Sequence, residues 1–197
     1  MEAVPLATDG YSGSYKLVGG RVCLDLVNTI SWPGLPREHD WLQADGNVAH
    51  WLGATGLDRH SSRVPLDELQ AVRGVVDDLL RPMASGLSPA HDAVANFNAR
   101  LRPAMAGRHL DPTTVTWRFG SEVNRAVAAV LLDAAELAAA VPAVTVKTCP
   151  GCRWLFVDQS RNGRRRWCDM ADCGSRAKSR THYHRAKEQS AVGEQST

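Results

Sequence analysis

Two cysteine pairs constrain this chain more than any other feature. Cys149 and Cys152 are followed by Cys168 and Cys173, giving the spacing C-x2-C-x15-C-x4-C. Four thiolates in two short-range pairs can wrap a single tetrahedral zinc ion, with each sulfur about 2.3 Å from the metal. Paired cysteines can also form disulfides. However, Met1-Glu2-Ala3-Val4-Pro5 has neither the basic start nor the apolar core of a secretory leader, and in a reducing compartment such pairs serve metals. The expectation is a cytoplasmic protein with one structural Zn2+. Cys23, alone in an apolar run, reads as an ordinary buried thiol.

Between the pairs, Asn162-Gly163 is the dipeptide of a type I′ hairpin turn, which predicts pairing of Arg153–Val157 with Arg164–Trp167. Cys173 then opens a helical run toward Glu188. A thiolate there is favoured by the macrodipole and the free N–H groups. Knuckle, hairpin and helix describe a small treble-clef-like finger over residues 146–189, closed by the four cysteines. With few apolar residues of its own, it is expected to fold on its metal, worth on the order of 10–16 kcal/mol in finger peptides.

The rest predicts a mainly α protein with short β-hairpins (α+β): a helical N-terminal domain over 1–145, the finger, and a disordered tail over 190–197. Tyr15–Val18 and Arg21–Leu24 read as two short strands around Gly19-Gly20, and Leu24–Ile30 fits either a helix or a strand. Helical character marks Asp40–Leu42 and Val48–Leu52, closed by Gly53 and Gly56. A longer helix runs from Pro65 to Leu80 and ends before Pro82. Ser88-Pro89 starts another, which Pro103 stops. Val115–Phe119 is β-prone and is placed against the residues that follow that helix. Ser121 caps the strongest helix, whose apolar stripe includes Val127, Val130, Leu131, Ala134 and Leu137; Pro142 ends it.

Charge is unevenly spread. Residues 147–187 hold eleven Lys/Arg against three Asp/Glu, a net +8, on a mildly acidic body. A confined basic region implies an anionic partner. Arg161, Arg164, Arg165 and Arg166 crowd the predicted hairpin tip. Arg176, Arg180, Tyr183 and Lys187 share one helix face, and Lys178, His182 and Arg185 another. The candidate nucleic-acid contacts are therefore Arg161, Arg164, Arg165, Arg166, Arg176, Lys178, Arg180, Arg185 and Lys187. Guanidinium groups suit phosphates and guanine edges alike.

Cys173-Gly174-Ser175-Arg176, preceded by Phe156-Val157-Asp158 and Arg165-Arg166-Trp167-Cys168, resembles the CGNR zinc-finger family. Cys23–Thr29 and Trp51-Leu52 resemble its N-terminal part. The resemblance implies a stress-induced transcriptional regulator with a mainly helical N-terminal domain and a DNA-binding finger. It also implies that Cys149, Cys152, Cys168 and Cys173 ligate the zinc. Ser175 stands where the family has Asn.

The leading expectation is a regulator that binds nucleic acid, double-stranded DNA before RNA, with an N-terminal domain that senses a small-molecule effector or forms a homodimer. Asp25, Asn28, Trp32, His39 and Trp41 (with Asp40 beside them) are candidates for an effector pocket. The alternative is a zinc-stapled protein-docking module, which an exposed Trp154 or Trp167 would favour. No nucleophile-plus-base set or phosphate loop marks an enzyme, and no apolar run suits a membrane span.

Overall fold

The computed structural model describes residues 2–58, 64–120 and 123–183. Helices α1 (Val22–Val27), α2 (Asn47–Thr55), α3 (Leu66–Ala84), α4 (His91–Ala106) and α5 (Arg125–Ala140) form the body. Three two-stranded antiparallel ladders attach to it: β1 (Ile30–Ser31) with β2 (His39–Asp40), β3 (Arg108–Leu110) with β4 (Trp117–Phe119), and β5 (Val146–Thr148) with β6 (Leu155–Val157). A π-helical turn at Met170–Gly174 leads into a helix over 175–183, here α6.

Val22–Val27 form a helix with Arg21 as its extended N-cap, not the expected return strand. Asp133, on α5, caps it from outside by accepting the Cys23 N–H at 2.9 Å and the Arg21 Nε at 2.7 Å. α1 is short and almost wholly buried, and packs against α3, α5 and β6. Cys23 is buried as expected, and burial pushes its thiol well up. Asp40 closes a β-bridge rather than starting a helix. Its carboxylate takes a two-pronged bond from Arg73 at 2.6 and 2.7 Å, and Arg73 also donates to the Thr29 hydroxyl, pinning β2 to α3.

α3 buries Leu69, Val72, Val76, Leu79 and Leu80 at helical spacing, as the sequence predicts. It does not stop at Pro82, nor does α4 at Pro103. Each proline lies in a last turn, where its missing N–H removes only one closing bond. α4 starts at His91 with Ala90 as its N-cap, two residues beyond the expected cap at Ser88. The expected pairing of Val115–Phe119 with the chain just after α4 is found in β3–β4. The cap expected at Ser121 lies outside the described residues; Asn124 caps α5, its side chain accepting from the N–H groups of Ala126 and Val127.

The C-terminal unit shares the body's core. Leu155, Phe156 and Val157 are buried together with Leu24, Leu26, Val76 and Leu80. Hence β6 pairs with β5 and not with the arginine-rich 164–167 run. A strand of three apolar residues can be buried on both faces, whereas Arg164-Arg165-Arg166 would drive charge into the core. Gly163 alone has positive φ, at 59°, and its N–H bonds the Ser160 carbonyl at 3.0 Å, so Asn162-Gly163 is not a type I′ pair. Arg161 and Arg164 therefore do not face each other across a ladder.

Candidate metal centre and basic surface

The β5–β6 hairpin carries the first cysteine pair in its turn. The Cys149 N–H bonds the Trp154 carbonyl, and the Arg153 N–H bonds the Cys149 carbonyl, both at 2.8 Å. The π-helical turn carries Cys173, and Cys168 precedes it. Gly151 lets the two halves close: a Cβ there would lie 3.1 Å from Cys173 Cβ and 3.2 Å from its Sγ.

All four cysteines are buried, and their sulfurs lie within 4.8 Å of one another. Sulfurs 2.3 Å from a tetrahedral centre stand about 3.8 Å apart. Cys152 and Cys168 Sγ are 3.4 Å apart, Cys168 and Cys173 Sγ 3.8 Å. On their own, sulfurs this close cannot all ionise. Hydrogen bonds donated by Cys152, Cys168 and Cys173 favour the thiolate at Cys149, while Cys168, whose own thiol donates to Cys149, Cys152 and Cys173, is pushed far up. A divalent soft cation removes that conflict, so the donor set fits one structural zinc ion.

Around the site lie groups that tie it to the body. Asn28, the C-cap of α1, acts as a strand partner for Leu155: its Nδ2 donates to the Leu155 carbonyl and its Oδ1 accepts the Leu155 N–H, both at 2.8 Å. Trp154 Nε1 donates to the Ile30 carbonyl at 3.0 Å, and the Val157 N–H to the Gly19 carbonyl at 2.9 Å. Lys16 reaches Asp169 at 3.0 Å and Asp172 at 2.5 Å, bracing the π-helical turn; both carboxylates hold the lysine above its ordinary pKa. Asp158 shapes the arginine loop by accepting from Lys147, Ser160 and the Arg165 N–H. Burial opposes its ionisation, yet these bonds hold the carboxyl well below the usual range.

The nine candidate nucleic-acid residues fall into three groups. Arg161, Arg164, Arg166, Lys178 and Arg180 are exposed. Arg166 lies over the Trp167 ring at 5.1 Å. Arg165 and Arg176 both reach back to the metal unit, Arg165 from a half-buried position and Arg176 from an exposed one. Arg165 is half-buried over Phe156, with Nε donating to the Trp167 carbonyl at 3.0 Å and Nη2 to that of Cys168. Arg176 donates through Nη2 to Cys173 Sγ at 3.2 Å. Arg185 and Lys187, like the expected tail, lie outside the described residues. Ser175 is exposed, its hydroxyl 3.4 Å from the Met170 carbonyl.

Of the five effector-pocket candidates, Trp32, His39 and Trp41 meet around Tyr11, with the His39 and Trp41 rings 4.6 Å apart, whereas Asp25 and Asn28 are engaged elsewhere. Asp25 is buried and accepts the Gly19 N–H at 2.8 Å. Trp41 is buried and donates to Ser31 Oγ at 2.8 Å. Asn28 is committed to Leu155. Trp32 donates to the Tyr11 hydroxyl at 2.9 Å under the Arg37 guanidinium, and His39 stacks on Tyr11 at 4.2 Å. Of the five, only Trp32 lines the cleft of about 160 Å³ that reaches Cys152, Cys168, Cys173, Lys16 and Arg176.

Sequence reasoning missed Lys16, Asn28's pairing and Asp169. They act across more than a hundred positions of sequence, and no local spacing signals that.

Residues 145–186 match the CGNR zinc finger, and residues 20–141 match the family described as "Putative stress-induced transcription regulator", abbreviated ABATE. The chain belongs to the ABATE family. No curated protein matches it. Both matched regions fall where the geometry has meaning. The ABATE region spans α1 to α5, and the finger region begins at β5 and includes all four thiolates. No helix among the described residues is long and apolar enough to cross a membrane.

Proposed function

We propose that the protein is a cytoplasmic DNA-binding regulator whose zinc-braced C-terminal unit, 146–189, carries the contacts. The body, 1–145, would sense a small-molecule effector or form a homodimer. The observation that carries this reading is the division of labour among the cations. Arg161, Arg164 and Arg166 on one loop and Lys178 and Arg180 on α6 are exposed, and no ion pair with an acidic side chain ties them down among the described residues. The nearby acids, Asp158, Asp169 and Asp172, are taken by Lys147 and Lys16. Exposed guanidinium groups on one loop match phosphates. Of the two anchors that a protein-docking finger would offer, Trp154 is buried and Trp167 is half-buried.

The test is fluorescence anisotropy of the zinc-loaded protein with duplex DNA, single-stranded DNA and RNA over a salt series. Binding to duplex DNA should weaken steeply with salt. The Arg161/Arg164/Arg166→Ala variant should flatten the log–log slope by up to about 2.7, near 0.9 for each phosphate that a removed guanidinium had neutralised. Affinity indifferent to salt would sink the proposal, and a preference for RNA would replace DNA as the ligand.

A further inference from the structure

Arg176 is exposed, yet its guanidinium reaches the metal centre. It sits three positions after Cys173, and side chains on a helix lean toward its N-terminus. The spacing C-x-x-R therefore returns the guanidinium onto the sulfur of its own turn, where Nη2 lies 3.2 Å from Cys173 Sγ. Lys178, five positions on, is not placed to do so. Among the described residues, Arg176 is the one charged side chain with a hydrogen bond to a cysteine sulfur. A zinc ion bound by four thiolates carries a formal charge of −2, and in a buried site that charge favours a nearby cationic donor.

We propose that Arg176 is a positioning residue of the zinc centre: it orients the Cys173 thiolate and draws off part of its charge, rather than contacting nucleic acid. Ser175, which turns to the Met170 carbonyl, takes no part. The inference rests on the zinc site and not on DNA binding, and its readouts need no nucleic acid.

The full-length, zinc-loaded protein is compared with Arg176→Lys and Arg176→Met. Competition with a chromophoric chelator should show zinc affinity lowered about 10–100-fold in Arg176→Met, the usual range for loss of such a partner, and partly restored in Arg176→Lys. The thiolate-to-Co2+ charge-transfer band of the cobalt-substituted protein should shift in Arg176→Met. Iodoacetamide mapped by mass spectrometry should alkylate Cys173 faster in that variant, with Cys149, Cys152 and Cys168 unchanged. Faster alkylation of all four alike would mean general loosening and would overturn the proposal, as would wild-type zinc affinity and an unshifted band. If Arg176→Met does not fold, Arg176→Lys carries the test. Its cobalt band and Cys173 alkylation rate must then lie outside the wild-type values, and identity to wild type overturns the proposal. At saturating zinc, Arg176→Met should keep wild-type DNA affinity, whereas Arg164→Met should lose DNA affinity with its zinc affinity intact. Loss of DNA binding by Arg176→Met with unaltered zinc readouts would return Arg176 to the DNA surface.

Discussion

Asn28 shows how much one side chain can carry. It is buried, and its amide satisfies both backbone groups of Leu155. Truncation to alanine would leave a buried N–H and a buried C=O unpaired, at about 1–3 kcal/mol each. Asn28→Ala should therefore lose about 2–6 kcal/mol, read from urea unfolding of the zinc-loaded protein. A loss below about 0.5 kcal/mol would show that Leu155 finds other partners. Asp25 makes a second residue-scale prediction. Burial outweighs the Gly19 N–H bond and pushes its carboxyl up to about 7, against an unfolded value near 3.9. As pH rises from about 4 to 7, the unfolded chain releases this proton while the folded chain keeps it, so the contribution to stability falls across that window and is flat above it. Asp25→Asn keeps an acceptor for Gly19 without the charge. Its stability relative to wild type should rise over the same window in denaturant titrations at stepped pH; a pH-independent difference would refute the shift.

At the scale of elements, close approach explains the knuckle. Gly151 faces Cys173 and Trp167, and a methyl group there would press on ring carbon and sulfur at 3.2 Å. Gly151→Ala should weaken zinc binding in chelator competition and cost about 1–3 kcal/mol of stability, the range for overpacking. Unchanged zinc affinity would mean that the π-helical turn yields freely. The ligand spacing, the amphipathic stripes of α3 and α5 and the β3–β4 pairing were legible because each depends on residues close in sequence. The partner of β6 was not. Asn162-Gly163 promised a local hairpin, but Leu155–Val157 gained more by burial between β5 and Asn28, and Asp158 with Ser160 drew the arginine loop into a turn of its own. The contacts of Arg165 and Arg176 were likewise hidden, since sequence shows charge but not which donors reach back to the metal unit. The start of α1, too, depends on Asp133, more than a hundred positions away.

For the whole molecule, the expectation of a finger that folds on its metal alone gives way to a shared core. Leu155, Phe156, Val157 and Trp154 are buried against body residues, and each large apolar side chain contributes about 1.5–3 kcal/mol when buried. Together that is comparable with the whole stability of an ordinary domain, about 5–15 kcal/mol. Without zinc, the turn that holds β5 against β6 loses the cation that lets four close sulfurs ionise, and β6 loses its support. The helical body should then weaken with the finger. On titration with a strong chelator, helical circular dichroism, tryptophan fluorescence and zinc release should change together, and the thermal midpoint should drop in one transition. A chain ending at residue 144 should lack a cooperative melt, because the faces of α1 and α3 that receive β5 and β6 would be open to water. If the body instead keeps its full helical signal and its own sharp transition once zinc is gone, the two parts fold separately and the contacts through Asn28 and Trp154 only dock them.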